Sequence, residues 1–186
     1  MIIFTTSNSK NDLFGILDLQ KINLALNLNS DEIQSQGFVT VIHTYNQLSK
    51  LNAYERHIIA KDNGKVIGYL LAMTEHSKCD VPILVPMFNI FNLSTYKDKK
   101  IVDCKYIIVG QVCIDKAYRG QGILDKCYAT YKEYYGDKYD FAITEIAKSN
   151  KRSLKAHKRI GFKEIEKYTS PDDTEWVIVV WDWKNT

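Results

Sequence analysis

Two glycines one residue apart, Gly120 and Gly122, stand in the stretch IDKAYRGQGILDKCY, Ile114 to Tyr128, between an apolar run and a pattern of helical period. A helix start carries amides with no intrahelical acceptor and the positive end of the helix dipole. It binds phosphate when the loop before it has no side chains in the way. The amides of Arg119 to Leu124 are therefore candidate anion ligands. An isolated G-x-G is also what a tight turn needs for its backbone angles alone. The stretch is not a dinucleotide fingerprint, because Asp125 occupies the place of the third glycine, and it is not a P-loop, because no G-K-[ST] follows. Cys79, Cys104, Cys113 and Cys127 show no C-x-x-C spacing, which favours reduced packing cysteines over a zinc site or a disulfide framework.

These residues need elements to hold them. Met1 to Thr6 reads as a short strand, and Asn11 to Leu26 as a helix after Ser/Asn capping residues, with Leu13, Ile16, Leu17, Leu19 and Leu24 at helical spacing. A second helix start falls at Ser30, with Asp31 and Glu32 in its first turn and a break at Gly37. Thr44 to Leu51 forms another short helix. Two β-rich runs flank Asp62-Asn63-Gly64, so Arg56 to Thr74 is a hairpin. Tyr106 to Ile114 is nearly all apolar, as a central strand covered on both faces requires. The helix after the glycines places Ile123, Cys127, Thr130, Tyr131 and Tyr134 on one face and stops at Gly136. A strand from Tyr139 to Ala147, a basic helix ended by Gly161, and two strands around Ser170-Pro171-Asp172-Asp173 complete an α/β order.

Glu75 to Lys105 is longer than joining two neighbouring strands needs, and its apolar Ile83, Leu84, Met87, Phe88, Phe91 and Tyr96 require cover. We expect a wall of an acceptor pocket, with Phe14, Phe38 and Tyr45 opposite; a core patch or a homodimer contact are the alternatives. Of the 186 residues, 45% are hydrophobic and 25% charged, with a net charge of +3. That is an ordinary globular balance, long enough for one core and too weakly basic to argue for nucleic acid. No stretch reaches eighteen consecutive apolar residues and no basic-then-apolar leader opens the chain, so a cytoplasmic single domain spanning 1–186, without a membrane partner, is the economical expectation.

Arg119-Gly-Gln-Gly-Ile-Leu124 resembles motif A of the GNAT superfamily of N-acetyltransferases, Q/R-x-x-G-x-G/A. Asn150 to Phe162 resembles the family's second arm, N-x-x-A/S-x-x-x-Y-x-x-x-G-F, and the helix and strand between the two have the family's order. The resemblance implies a GNAT fold: a central mixed, mostly antiparallel twisted sheet, splayed at the cofactor strand and flanked by helices. The cysteine spacing leaves no metal expected, and the resemblance implies acetyl-CoA as co-substrate. Its pyrophosphate would lie on the amides of Arg119, Gly120, Gln121, Gly122, Ile123 and Leu124, and its pantetheine arm along Val112, Cys113 and Ile114, near Asn150 and Ser153. The sequence departs from the family at Leu124, where a small residue is usual, and at His157, where the family has tyrosine.

The implied reaction is attack of a neutral amine on a thioester, although a free alkylamine is mostly protonated near neutrality. Glu145, in the strand beside the cofactor cleft, is the candidate proton acceptor, directly or through water; a strand anchor paired with a lysine is the plainer alternative. His157 is the candidate proton donor to the departing thiolate, against the plainer reading of a packed histidine satisfied by one hydrogen bond. Asn150 and Ser153 hold pantetheine or cap the helix, with Ser149 the first choice as cap. The five positive charges of Lys151 to Arg159 read first as a solvated face, then as attraction for the 3′-phosphate of CoA, and last as a nucleic-acid contact, for which stacking aromatics are lacking. The expected acceptor is a small-molecule amine; a non-catalytic module that binds acetyl-CoA is the competing function.

Overall fold

The computed structural model describes residues 1–27 and 38–184. The helix start expected at Ser30 and its break at Gly37 lie outside the described residues. Seven strands form one sheet: β1 (Ile2–Thr6), β2 (Ile58–Asp62), β3 (Lys65–Met73), β6 (Tyr106–Ile114), β7 (Phe141–Ala147), β9 (Glu175–Asp182) and β8 (Lys163–Thr169), in that spatial order. A short hairpin, β4 (Thr95–Tyr96) with β5 (Lys99–Lys100), stands apart. Every pairing in the large sheet is antiparallel except β6 with β7.

Five α-helices cover the sheet among the described residues: α1 (Lys10–Asn23), α2 (Tyr45–Tyr54), α3 (Val85–Leu93), α4 (Ile123–Tyr135) and α5 (Lys151–Ile160). Ser9 opens α1 with a capping box to Asp12, and Thr44 opens α2 with one to Gln47, so both helix starts are set by local sequence. The β2–β3 hairpin turns at Asn63 and Gly64, both at positive φ (48° and 82°), as a two-residue loop requires. None of the described helices is long and apolar enough to cross a membrane.

The sheet buries both faces. On one side α1, α2 and the 75–105 segment pack Leu13, Ile16, Leu48, Phe88 and Phe91 onto Tyr69, Ile108, Ile143 and Ile178. On the other, α4 lays Ile123, Cys127, Tyr128, Tyr131 and Tyr135 against Leu70, Ile107, Ala142 and Val179. The α4 face thus differs from the expected one. Tyr134 is 48% exposed, because the buried stripe runs 123, 127/128, 131 and 135, the drift of a 3.6-residue period.

The feature that prepares a site is a fork. β6 and β7 pair in parallel only from Tyr106–Phe141 to Ile108–Ile143 and then separate. The Thr144 hydroxyl donates to Val109 O (2.8 Å) at the point of divergence. Beyond it β6 carries an extra residue against β3, since Leu70 pairs Val112 while Ala72 pairs Val109. Gly110 lies in that bulge beneath Met73, whose Sδ would stand 1.9 Å from an added Cβ.

Candidate active site

A cleft of about 560 Å3 opens beside the fork, between the end of β6, the start of α4 and one face of α5. Gly120 and Gly122 line it at φ +78° and +75°, with nothing within 4 Å of where a Cβ would project. The turn explanation of the glycine pair holds, because the turn needs left-handed backbone, and the bare loop leaves open space beside the helix start. The first helical bond of α4 is Lys126 N–H to Gly122 O (3.2 Å), so the amides before it have no intrahelical acceptor. Leu124 stands where a small residue is usual and packs its side chain partly on the sheet while still bordering the cleft.

Arg119 anchors the loop. Its Nε donates to Ile114 O (2.9 Å) and its Nη2 to Asn23 Oδ1 (2.6 Å), tying the end of β6 to the end of α1. Val112, Cys113, Ile114, Ile123, Asn150 and Ser153 also line the large cleft. Gln121 does not; its side chain turns back to donate to Ala117 O (2.9 Å). Burial pushes the Cys113 thiol up to about 12, so it packs as a small apolar group.

The basic helix α5 is more than a solvated face. Arg152, Lys155 and Arg159 line the large cleft, and Arg159 forms an ion pair with Asp125 across from α4. Only Lys151 and Lys158 of the run keep away from it. Asn150, not Ser149, is the N-cap: its Oδ1 accepts from Ser153 N (3.2 Å), and its Nδ2 donates to Phe38 O (3.3 Å). One side chain thereby starts α5 and holds the chain segment that walls the cleft.

A second, smaller cleft of about 90 Å3 lies against β7 and contains Glu145. Phe38, Val39, Val112, Asn150, Ser153 and His157 border both clefts, so the two meet along one wall. Desolvation raises the Glu145 carboxyl to about 7, and a hydrogen bond from the Tyr168 hydroxyl pulls the other way. A carboxylate with a pKa near neutrality, facing a cleft, is equipped to take a proton from an ammonium group.

His157 sits on the shared wall, but burial removes the charge that a proton donor would use. Desolvation pushes its pKa down to about 4. Nδ1–H donates to Ser153 O (2.8 Å), which leaves Nε2 to accept from the Tyr128 hydroxyl (2.6 Å). A proton donor at this place would need an imidazolium, and burial against Tyr128 and Phe162, with both ring nitrogens engaged, disfavours that charge.

The acceptor wall also differs from expectation. None of the residues bordering either cleft comes from 75–105; Leu84, Met87, Phe88 and Phe91 are core, and Ser94 bonds Glu166 on the edge strand. Phe14 and Tyr45 stack on each other (4.9 Å) rather than lining a cleft. Phe38 alone of that trio borders it, in a run from Phe38 to Val41 fixed by a bridge of Val39 to Leu24 and by Gln111 Nε2 donating to Val41 O (2.9 Å). Nothing periodic in those four residues announced the role. Tyr168 was equally hidden, since it reaches Glu145 from two strands away.

A strand fork runs from the glycine-opened helix start to the desolvated Glu145 carboxyl. The model of the Acetyltransferase (GNAT) family matches residues 26–162, and the chain belongs to that family. Among solved structures it resembles the NatC complex bound to Gag peptide and CoA (12% identity, TM-score 0.65, covering 97% of this chain and 98% of that one). It also resembles ribosomal-protein-S18-alanine N-acetyltransferase from Escherichia coli (13%, 0.63, 100% and 99%) and Ard1 from Thermoplasma volcanium (10%, 0.62, 96% and 95%). At these identities the likeness is one of fold. No curated protein matches the sequence.

Proposed function

We propose that the protein moves an acetyl group from acetyl-CoA to a primary amine by direct attack on the thioester. The observation that carries this reading is the wall shared by the two clefts, with phosphate-binding features in the larger and Glu145 in the smaller. The amides of the Gly120–Leu124 loop and the cations of α5 would hold the phosphates, and the fork at Val112 to Ile114 the pantetheine arm, leaving the thioester at the junction. Acetyl-CoA supplies the activated acyl group; the chain supplies position and a proton acceptor.

Glu145, ionised, takes a proton from the incoming ammonium, which frees the nitrogen lone pair. A C–N bond forms, the C–S bond breaks and the sulfur leaves as a thiolate, while the acylated nitrogen gives its remaining extra proton to solvent and Glu145 returns its own there. The neutral His157 does not carry the proton that thiolate needs, so solvent supplies it, and His157 serves to seal the wall with Tyr128. One neighbour is bound to a Gag peptide and another is named for an alanine of ribosomal protein S18, which sets peptides and proteins beside small amines as acceptors to test.

Thiol release from acetyl-CoA across a panel of amines tests the reading. Glu145→Gln should lower kcat/KM by roughly 10²- to 10⁴-fold while acetyl-CoA affinity by calorimetry stays within about twofold. Tight acetyl-CoA binding with no turnover on any amine or peptide would replace this reading with that of a binding module.

A further inference from the structure

The two clefts differ in charge. Among its described lining residues the larger has Arg119, Arg152, Lys155 and Arg159 against a single acid, Asp125. In the smaller, Glu145 is the one charged side chain among the described lining residues; the rest of its wall is apolar or neutral, including Val109, Val112, Thr144 and Trp176. The segment 28–37 adjoins the Phe38–Val41 wall in sequence, and it contains Asp31 and Glu32 but no lysine, arginine or histidine. It therefore cannot bring a cation to the acceptor, wherever its side chains lie.

Resting on the acetyl-transfer reading above, we infer that the acceptor is a cationic primary amine with no carboxylate beside it: an alkylamine, a lysine side chain or a peptide N-terminus, but not a free α-amino acid. An ammonium group entering the small cleft meets Glu145 and forms a charge-assisted pair in a low-dielectric place. The carboxylate of a free α-amino acid travels a few bonds behind its nitrogen. Inside the cleft it would lose water, approach Glu145, and find no guanidinium or ammonium to repay either cost. A cleft of about 90 Å3 is far below the size of a whole-ligand pocket, so it takes only the reacting end of an acceptor. What the rest of that acceptor contains is then restricted only outside the cleft.

The test pairs leucinamide with leucine, the same side chain with and without the carboxylate. Both are titrated by calorimetry at pH 8 into the protein loaded with CoA, and both are assayed by thiol release from acetyl-CoA. The expected result is binding and kcat/KM at least tenfold better for leucinamide, with the binding preference contracting severalfold in Glu145→Gln, where the repelling charge is gone. A leucine that binds and reacts as well as leucinamide overturns the inference. So does a preference that survives unchanged in Glu145→Gln, because it then reports the different basicities of the two amines. If leucinamide binds selectively but neither compound is acetylated, and no other amine is, the acceptor chemistry stands and the transferase reading fails.

Discussion

Tyr168, on the edge strand β8, reaches across β9 and donates its hydroxyl hydrogen to the Glu145 carboxylate on β7. A single extra residue makes this reach possible. Glu164 pairs Val179 and Glu166 pairs Ile178, so Ile165 is a bulge, and Tyr168 then falls opposite Trp176 on the Glu145 face of the sheet. Without the bulge, strict alternation would turn Tyr168 to the opposite face. Tyr168 does not border either cleft, so it acts through the carboxylate it holds.

Replacing Tyr168 by Phe should raise the Glu145 pKa, because the lost hydrogen bond favours the ionised form. In the proposed reaction Glu145 works deprotonated, so kcat/KM in the wild type should rise with pH through about 7. In Tyr168→Phe that limb should move up by about one pH unit, with activity recovering at high pH. A purely structural tyrosine would lower activity at every pH and leave the limb in place.

Gly122→Asp places a carboxylate and a Cβ in the proposed phosphate cradle. Backbone strain is a second effect of this change, since φ there is +75°. Gly64 in the β2–β3 turn offers a matched control, with φ +82°, the same open surroundings and a position outside both cleft linings. Both variants should lose similar stability, about 1 kcal/mol. Only Gly122→Asp should lose acetyl-CoA affinity, by tenfold or more in calorimetry. Equal affinities in the two folded variants would remove the loop from the phosphate site.

Three buried histidines set an acid limit. Desolvation lowers His43 and His157 to about 4 and His57 to about 3, from 6.5. Between those values the unfolded chain binds protons that the fold refuses, so stability is full above pH 6.5 and drains as pH falls towards 4. Each group costs about 1.4 kcal/mol per pH unit in that window. Glu145 has the opposite sign: its raised pKa contributes stability at low pH that is lost as pH rises through about 7. Three groups outweigh one, so the urea midpoint should fall steadily from pH 6.5 to pH 4.5. A midpoint that holds or rises over that range would mean the rings are charged within the fold.

Phe88→Ala separates core from pocket for the 75–105 segment. Phe88 is 1% exposed on α3, within the core on the α1 side. The variant should lose about 3 to 5 kcal/mol of stability, read by denaturant titration. Its KM for the amine should remain within about twofold at temperatures where it is folded. A KM that rises instead would return the segment to the acceptor site.

The sequence by itself determined the parts of this protein that depend on local backbone. Positive φ at Gly120 and Gly122, the Asn63-Gly64 hairpin, the start of α4 and the Gly161 stop of α5 follow from residue types that few alternatives can replace. The resemblance to the family supplied the two arms at Arg119 and Asn150, and with them the expected cofactor side of the site. What the tertiary structure decided involves pairing and desolvation between residues distant in the chain. The charge state of His157 depends on Tyr128 and Phe162 closing over it. The basicity of Glu145 depends on its burial and on Tyr168, which the β8 bulge turns into place. The fate of 75–105, core rather than pocket, was settled by the sheet face that α1 and α2 left uncovered. No residue type encodes these outcomes alone, because a pKa and a wall are properties of the surroundings that folding assembles.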